Sequence, residues 1–156
     1  MENYEIHYRA YLDRVNAALE KACGQFLPQE SQVCQAAQYS LLGGGKRIRG
    51  VLTLSVCDML GGPAAAAESF AAAVEMLHCY SLIHDDLPCM DDDDLRRGRP
   101  ACHKAFGEST ALLAGDLLLT EAFEAVANAE ASPESVVRAV RALSSGAGSR
   151  GMVYGQ

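Results

Sequence analysis

The chain has 156 residues and a formal net charge of −7, with 13 basic and 20 acidic residues. Hydrophobic residues make up 49% of it, which is enough to bury a core and excludes an intrinsically disordered chain. The acidic balance argues against nucleic-acid binding, because phosphate backbones require a basic surface. The length predicts one domain over residues 1–156.

Helical spacing of apolar residues predicts helices, in chain order, over residues 4–23, 31–42, 47–60 and 64–84. The helix over residues 64–84 is apolar nearly all the way round, as expected inside a bundle. Pro88 should end it, and the segment up to Gly107 looks like a polar loop. Ser109 is expected to cap a helix through residue 129, and Ser132 to cap another that runs to about residue 144. No strand pattern is evident, so the predicted fold class is all-α.

The cysteines and the N-terminal segment predict the cellular compartment. The six cysteines form no C-x-x-C pair, which makes a zinc ribbon or a redox motif unexpected. The segment MENYEIHYRAYLDR has no apolar stretch typical of a secretory signal, and no run approaches the ~18 apolar residues of a membrane span. We expect a cytoplasmic protein without a membrane span, whose thiols are reduced and mostly buried.

An acidic cluster directly follows the long apolar helix. It contains Asp85, Asp86, Asp91, Asp92, Asp93 and Asp94. A helix C-terminus carries partial negative charge, so carboxylates there need a compensating cation. That cation is either an arginine at position 96, 97 or 99, or a divalent metal such as Mg²⁺. The bend at Pro88 and the nearby His78, on almost the same helix face as Asp85, favour the metal over an ordinary solvated acidic loop.

A basic segment, LLGGGKRIRG, covers residues 41–50. Three glycines precede Lys46, Arg47 and Arg49 at the predicted start of a helix. Glycine allows a ligand to approach the backbone, and a helix N-terminus attracts anions, so the segment suits a diphosphate. It lacks the spacing of a P-loop, and an ordinary helix junction with solvated basic residues is the alternative. Together, the acidic and basic segments suggest two phosphorylated substrates in one helical cavity.

These motifs resemble those of the trans-isoprenyl diphosphate synthases. Asp85, Asp86 and Asp91, with the following DDLRRGRP, resemble the first aspartate-rich motif of that family, and GGGKRIRG resembles its basic motif. LAGDLLL and GMVYGQ resemble later signatures, and the similarity is greatest to the bacterial farnesyl diphosphate synthase (geranyltranstransferase) branch. The implied fold is the N-terminal half of the isoprenoid synthase helical bundle.

The resemblance also implies a reaction, a cofactor and an assembly. The reaction is head-to-tail condensation of an allylic diphosphate, dimethylallyl or geranyl, with isopentenyl diphosphate in a homodimer. Catalysis is implied for Asp85, Asp86, Asp91 and Arg96, the three aspartates holding Mg²⁺ and Arg96 contacting the allylic diphosphate. Isopentenyl diphosphate is implied to bind Lys46, Arg49, His78 and Arg97.

The chain-length position is expected near Tyr80 and Ser81, because both lie shortly before Asp85 on the same helix. An aromatic ring at Tyr80 would form the floor of the pocket and limit the product to farnesyl diphosphate. Ordinary core packing of Tyr80 is the alternative.

The sequence departs from the family pattern in its length and in one motif. The second aspartate-rich motif, D-D-x-x-D, is not found here, and Tyr154 stands where glycine is commoner. We therefore expect the N-terminal half of a longer enzyme, inactive by itself. A geranylgeranyl diphosphate synthase and a non-catalytic partner subunit of a prenyl synthase remain alternatives. A terpene cyclase is disfavoured by the basic motif, because a cyclase has no second diphosphate substrate.

Overall fold

The computed structural model describes residues 2–156. The main helices follow in chain order: α1 (Glu2–Phe26), α2 (Gln32–Leu41), α3 (Ile48–Met59), α4 (Ala64–Asp85), α5 (Cys102–Phe106), α6 (Glu108–Ala127), α7 (Pro133–Ala147) and α8 (Met152–Gly155). They form a helical bundle, which confirms the all-α prediction. The predicted helix ends were right to within a few residues for α2, α3, α4, α6 and α7.

Helix α4 is the centre of the bundle. It packs against α6 and α3 most extensively and also against α1. Three consecutive alanines, residues 71–73, and Met76 are fully or almost fully buried, because neighbouring helices cover α4 on several sides. Small side chains allow this close approach, as the all-round apolar pattern predicted.

The helix starts show which local signals were reliable. The Ser132 side chain accepts a hydrogen bond from the Ser135 backbone N–H at 3.2 Å, and Pro133 occupies the first turn, as predicted. The predicted cap at Ser109 is wrong. Helix α6 begins at Glu108, after Gly107 with a φ of +88°, and no side chain caps it.

Two short elements lie in the segment that was predicted to be a loop. Strand β1 (Leu95–Arg96) pairs antiparallel with strand β2 (Arg99–Pro100), and α5 follows at once. Arg97 and Gly98 form the connecting turn with φ values of +56° and +74°, the backbone signature of a tight hairpin. The prediction of no strand was therefore wrong, because two-residue strands are too short to show alternation.

Two features of the structure bear on the compartment predictions: the apolar character of the helices and the state of the cysteines. Among residues 2–156, no helix is both long enough and apolar enough to cross a membrane. The six cysteines are unpaired, four of them are buried, and only Cys89 is exposed. Mostly buried thiols were predicted, and burial raises the pKa of Cys79 to about 12.

Candidate active site

The predicted pair Asp85 and Asp91 meets at the end of α4. The loop after Pro88 turns back, so that the Asp91 backbone N–H donates to the Asp85 carbonyl at 2.8 Å. Partial burial, and then the charge of Asp91, raise the pKa of Asp85. Two carboxylates that repel each other beside a negatively polarised helix end suit a divalent cation, and Mg²⁺ commonly binds through one or two carboxylates together with substrate phosphates.

Asp86 behaves differently from its neighbour. Its side chain is almost fully buried, with 2% of its surface exposed. The Arg96 Nε lies 3.1 Å from both carboxylate oxygens, and an Arg96 Nη also donates to the carboxylate. In this structure Arg96 therefore occupies the oxygens of Asp86, which the sequence analysis assigned to the metal site.

The hairpin carries Arg97 to the glycine-rich segment. The Arg97 guanidinium donates to the Gly44 carbonyl, across 53 positions of sequence. At Gly45, whose φ is +121°, a Cβ atom would lie 2.6 Å from Arg97 Cζ. The sequence suggested that glycine lets a ligand approach here. The structure shows that Gly45 makes room for an arginine that joins the acidic and basic motifs.

The basic segment divides into exposed and buried cations. Lys46 and Arg49 are exposed, as an anion site requires. Arg47 is only 5% exposed, has a φ of +48°, and donates to the Leu41 carbonyl at 2.7 Å. Its Nη1 also lies 3.9 Å from a Glu75 oxygen. Arg47 therefore fixes the loop, while Lys46 and Arg49 remain available to a ligand.

Glu75, which the sequence analysis missed, supports the basic segment from α4. It is 2% exposed in the middle of α4, and its Oε1 accepts a hydrogen bond from the Gly50 backbone N–H at 2.9 Å. Together with the Arg47 contact, this bond fixes the start of α3 against α4. The available signal was one acidic residue within the apolar run AAAVEML, because a buried acid requires partners.

His78 lies beside the predicted cations. It lines a cavity of about 310 Å³ together with Arg49 and part of α7. Burial first, and then the charges of Arg49, Arg97 and two further arginines, lower the pKa of His78 to about 4. The ring is therefore neutral at neutral pH. Arg49 and Arg97, two of the predicted isopentenyl diphosphate ligands, are thus near enough to act on His78.

A second cavity, of about 320 Å³, begins at Asp85. Its lining includes Tyr80, Ser81, His84, Leu112 and Met152. Tyr80 is 6% exposed, and its ring meets the His84 ring edge to face at a centroid distance of 5.7 Å. Tyr80, Ser81 and Asp85 thus share one cavity, as the chain-length hypothesis requires.

Comparison with known proteins agrees with this geometry. The family model described as polyprenyl synthetase matches residues 30–154. The chain belongs to the polyprenyl synthetase family. Among curated relatives, the farnesyl diphosphate synthase of Micrococcus luteus is 49% identical, over 92% of this chain and 50% of that protein. The heterodimeric geranylgeranyl pyrophosphate synthase large subunit 1 of Arabidopsis thaliana is 52% identical, over 91% of this chain and 39% of that protein.

A solved structure supports the fold of this polyprenyl synthetase chain. A geranyltransferase from Legionella pneumophila matches with a TM-score of 0.92 and 40% identity, over 99% of this chain and 55% of that one. The chain therefore spans about half the length of the relatives that it matches. These matches confirm the family resemblance and the bundle fold that the motifs predicted.

Proposed function

We propose that the full-length protein carrying this chain is a short-chain isoprenyl diphosphate synthase. It condenses an allylic diphosphate with isopentenyl diphosphate head to tail and depends on Mg²⁺. The proposal rests on one observation. The structure has an acidic pair, Asp85 and Asp91, and a separate group of basic residues around His78. Arg97 links the two. Two differently built anion sites suit two diphosphate substrates, and relatives include both farnesyl and geranylgeranyl diphosphate synthases.

The acidic side binds the allylic substrate. Asp85 and Asp91 would hold Mg²⁺, which when bound would supply positive charge to the departing diphosphate. Arg96 contacts the same diphosphate. Its Nε and one Nη are directed to Asp86, and the remaining N–H donors of its guanidinium are available to the substrate. Asp86 thus positions Arg96.

The basic side binds isopentenyl diphosphate. Lys46, Arg49 and Arg97 supply positive charge, and neutral His78 supplies a ring N–H. Binding of an anion offsets the mutual repulsion of the arginines. The double bond of isopentenyl diphosphate then attacks the allylic carbon, and loss of a proton restores a double bond. Leu112 and Met152 line the cavity and are exposed here; once covered in the full-length protein, these apolar side chains would help to exclude water, which would quench the allylic cation.

We propose farnesyl diphosphate as the product. The growing chain starts at the diphosphate near Asp85 and extends into the cavity that Tyr80 and Ser81 line. The Tyr80 ring is buried and packs edge to face on His84, so it would form the floor that limits the length of the product. A geranylgeranyl product is the alternative, because relatives of both specificities match this chain.

We also propose that the protein is a homodimer. Exposed apolar side chains on α3, including Leu52 and Val56, supply a surface that a second copy would cover. Light scattering of the full-length protein would measure the mass, and a monomer at micromolar concentration would contradict this proposal.

The decisive experiment is product analysis. Full-length protein is incubated with labelled isopentenyl diphosphate and dimethylallyl diphosphate, with Mg²⁺ and with a chelator, and products are separated by chromatography. We expect Mg²⁺-dependent incorporation into a fifteen-carbon product. A folded full-length protein that incorporates no label with Mg²⁺ present would contradict the proposal and support the partner-subunit alternative.

A further inference from the structure

An unpartnered histidine lies beneath the acidic loop. His103, in α5, is 5% exposed, and neither of its ring nitrogens has a hydrogen-bond partner. A buried imidazole of this kind is uncommon, because it has lost its bonds to water without replacing them. A potential ligand atom of His103 lies with those of Asp92 and Asp94, all within 4.8 Å of one another.

This group is distinct from the predicted magnesium ligands. Among the residues that the structure describes, it is the one set of three His, Cys, Asp or Glu side chains that comes so close together. Asp85, Asp86 and Asp91 do not form such a set. Asp92 follows Asp91 directly in the sequence. Its backbone is left-handed, with a φ of +54°, and its carboxylate lies beside His103.

The backbone fixes the three residues relative to one another. The Asp92 N–H donates to the Leu87 carbonyl at 3.2 Å, which holds the acidic loop against the end of α4. The Ala101 N–H donates to the Asp94 carbonyl at 2.9 Å, which ties that loop to the start of α5. The arrangement therefore does not depend on flexible side chains alone.

We propose that Asp92, Asp94 and His103 bind a first-row divalent transition-metal ion, of which Zn²⁺ is the representative. One imidazole and two carboxylates are a donor set that zinc accepts, and the imidazole disfavours Mg²⁺. Bonds of about 2.1 Å in tetrahedral geometry require ligand atoms about 3.4 Å apart. The ligand atoms, now within 4.8 Å of one another, must therefore come closer together. The two exposed carboxylates can move by that amount, while buried His103 stays in place.

Lys104 is compatible with this site. Its Nζ lies 2.7 Å from Asp94 Oδ1, and this contact lowers the pKa of Asp94. A carboxylate has two oxygens, so one can accept from Lys104 while the other binds the ion.

The test is zinc binding by the full-length protein in millimolar Mg²⁺, which occupies the diphosphate-associated site. Calorimetry with zinc chloride should show one site per chain, and cobalt chloride should give the visible absorption of nitrogen and oxygen ligands. His103→Gln should weaken zinc binding at least tenfold. Asp93→Asn, the neighbouring acid outside the group, and His7→Gln, a surface histidine, are matched controls that should bind as the wild type does.

Three results would overturn the proposal. They are zinc binding that is equal in wild type and His103→Gln, no zinc binding by the wild type, and zinc binding that disappears only with Asp85→Asn. If His103→Gln does not fold, NMR of the wild-type full-length protein, with the ring signals of His7, His78, His84 and His103 assigned, decides the matter. The His103 signals must then respond to stoichiometric zinc, and a response confined to the other rings also refutes the site. None of these readouts depends on prenyl transfer.

Discussion

Replacing Gly45 with alanine should weaken isopentenyl diphosphate binding by displacing Arg97. The added Cβ would lie 2.6 Å from Arg97 Cζ and 2.7 Å from Nη1, closer than real Cβ contacts. The backbone has less freedom to move than the end of a side chain, so the guanidinium must shift. Its hydrogen bond to the Gly44 carbonyl is then lost.

Two effects of different size follow. Alanine at a φ of +121° is strained, which should lower stability by about 1–3 kcal/mol. Loss of one charge-assisted hydrogen bond to the diphosphate costs about 1.5–3 kcal/mol of binding. At 1.4 kcal/mol per factor of ten, that is a roughly 10- to 150-fold increase in KM for isopentenyl diphosphate.

Gly44→Ala is the matched control. Gly44 also has a positive φ, +83°, but a Cβ there would meet nothing within 4 Å. Urea unfolding should show both variants destabilised, and steady-state kinetics of the full-length enzyme should show the increase in KM only for Gly45→Ala. Equal KM values in the two variants would refute the idea that Gly45 exists to accommodate Arg97.

The remaining predictions concern the other parts of the site. In the full-length enzyme, Asp85→Ala should lower kcat, since the metal acts mainly as the leaving group departs, whereas Lys46→Ala should raise KM for isopentenyl diphosphate; small, equal effects would indicate a solvated surface instead. Because the pKa of His78 is lowered to about 4, the unfolded chain takes up a proton first as the pH falls below 6.5, so stability should decrease between pH 6.5 and about 4. Urea unfolding over that range should show a smaller decrease in His78→Gln, and identical profiles would contradict the depressed pKa. Tyr80→Ala should lengthen products to twenty carbons or more by chromatography, and an active variant that still makes fifteen carbons would place the floor elsewhere. The 156-residue chain alone should be inactive, and turnover by the purified chain would disprove this.

Features that depend on neighbouring residues could be predicted from the sequence. The helix over residues 64–84, the cap at Ser132 and the meeting of Asp85 with Asp91 across a proline bend all arise within a few turns of chain. Apolar periodicity, capping chemistry and the rigidity of proline determine them without reference to distant segments. The two-residue strands β1 and β2 escaped prediction because they are shorter than any periodic signal.

Only the tertiary structure decided which side chains are free to bind ligands. Asp85 and Asp86 are adjacent and chemically alike, but successive residues on a helix point about 100° apart. Packing around α4 therefore buries Asp86 against Arg96 and leaves Asp85 at the cavity. Likewise, the sequence by itself determined that residues 46, 47 and 49 are basic. Burial of Arg47 and contact between Arg97 and Gly44 required α3, α4 and the hairpin to meet. Contacts between distant segments depend on the packing of whole helices, and no local pattern encodes them.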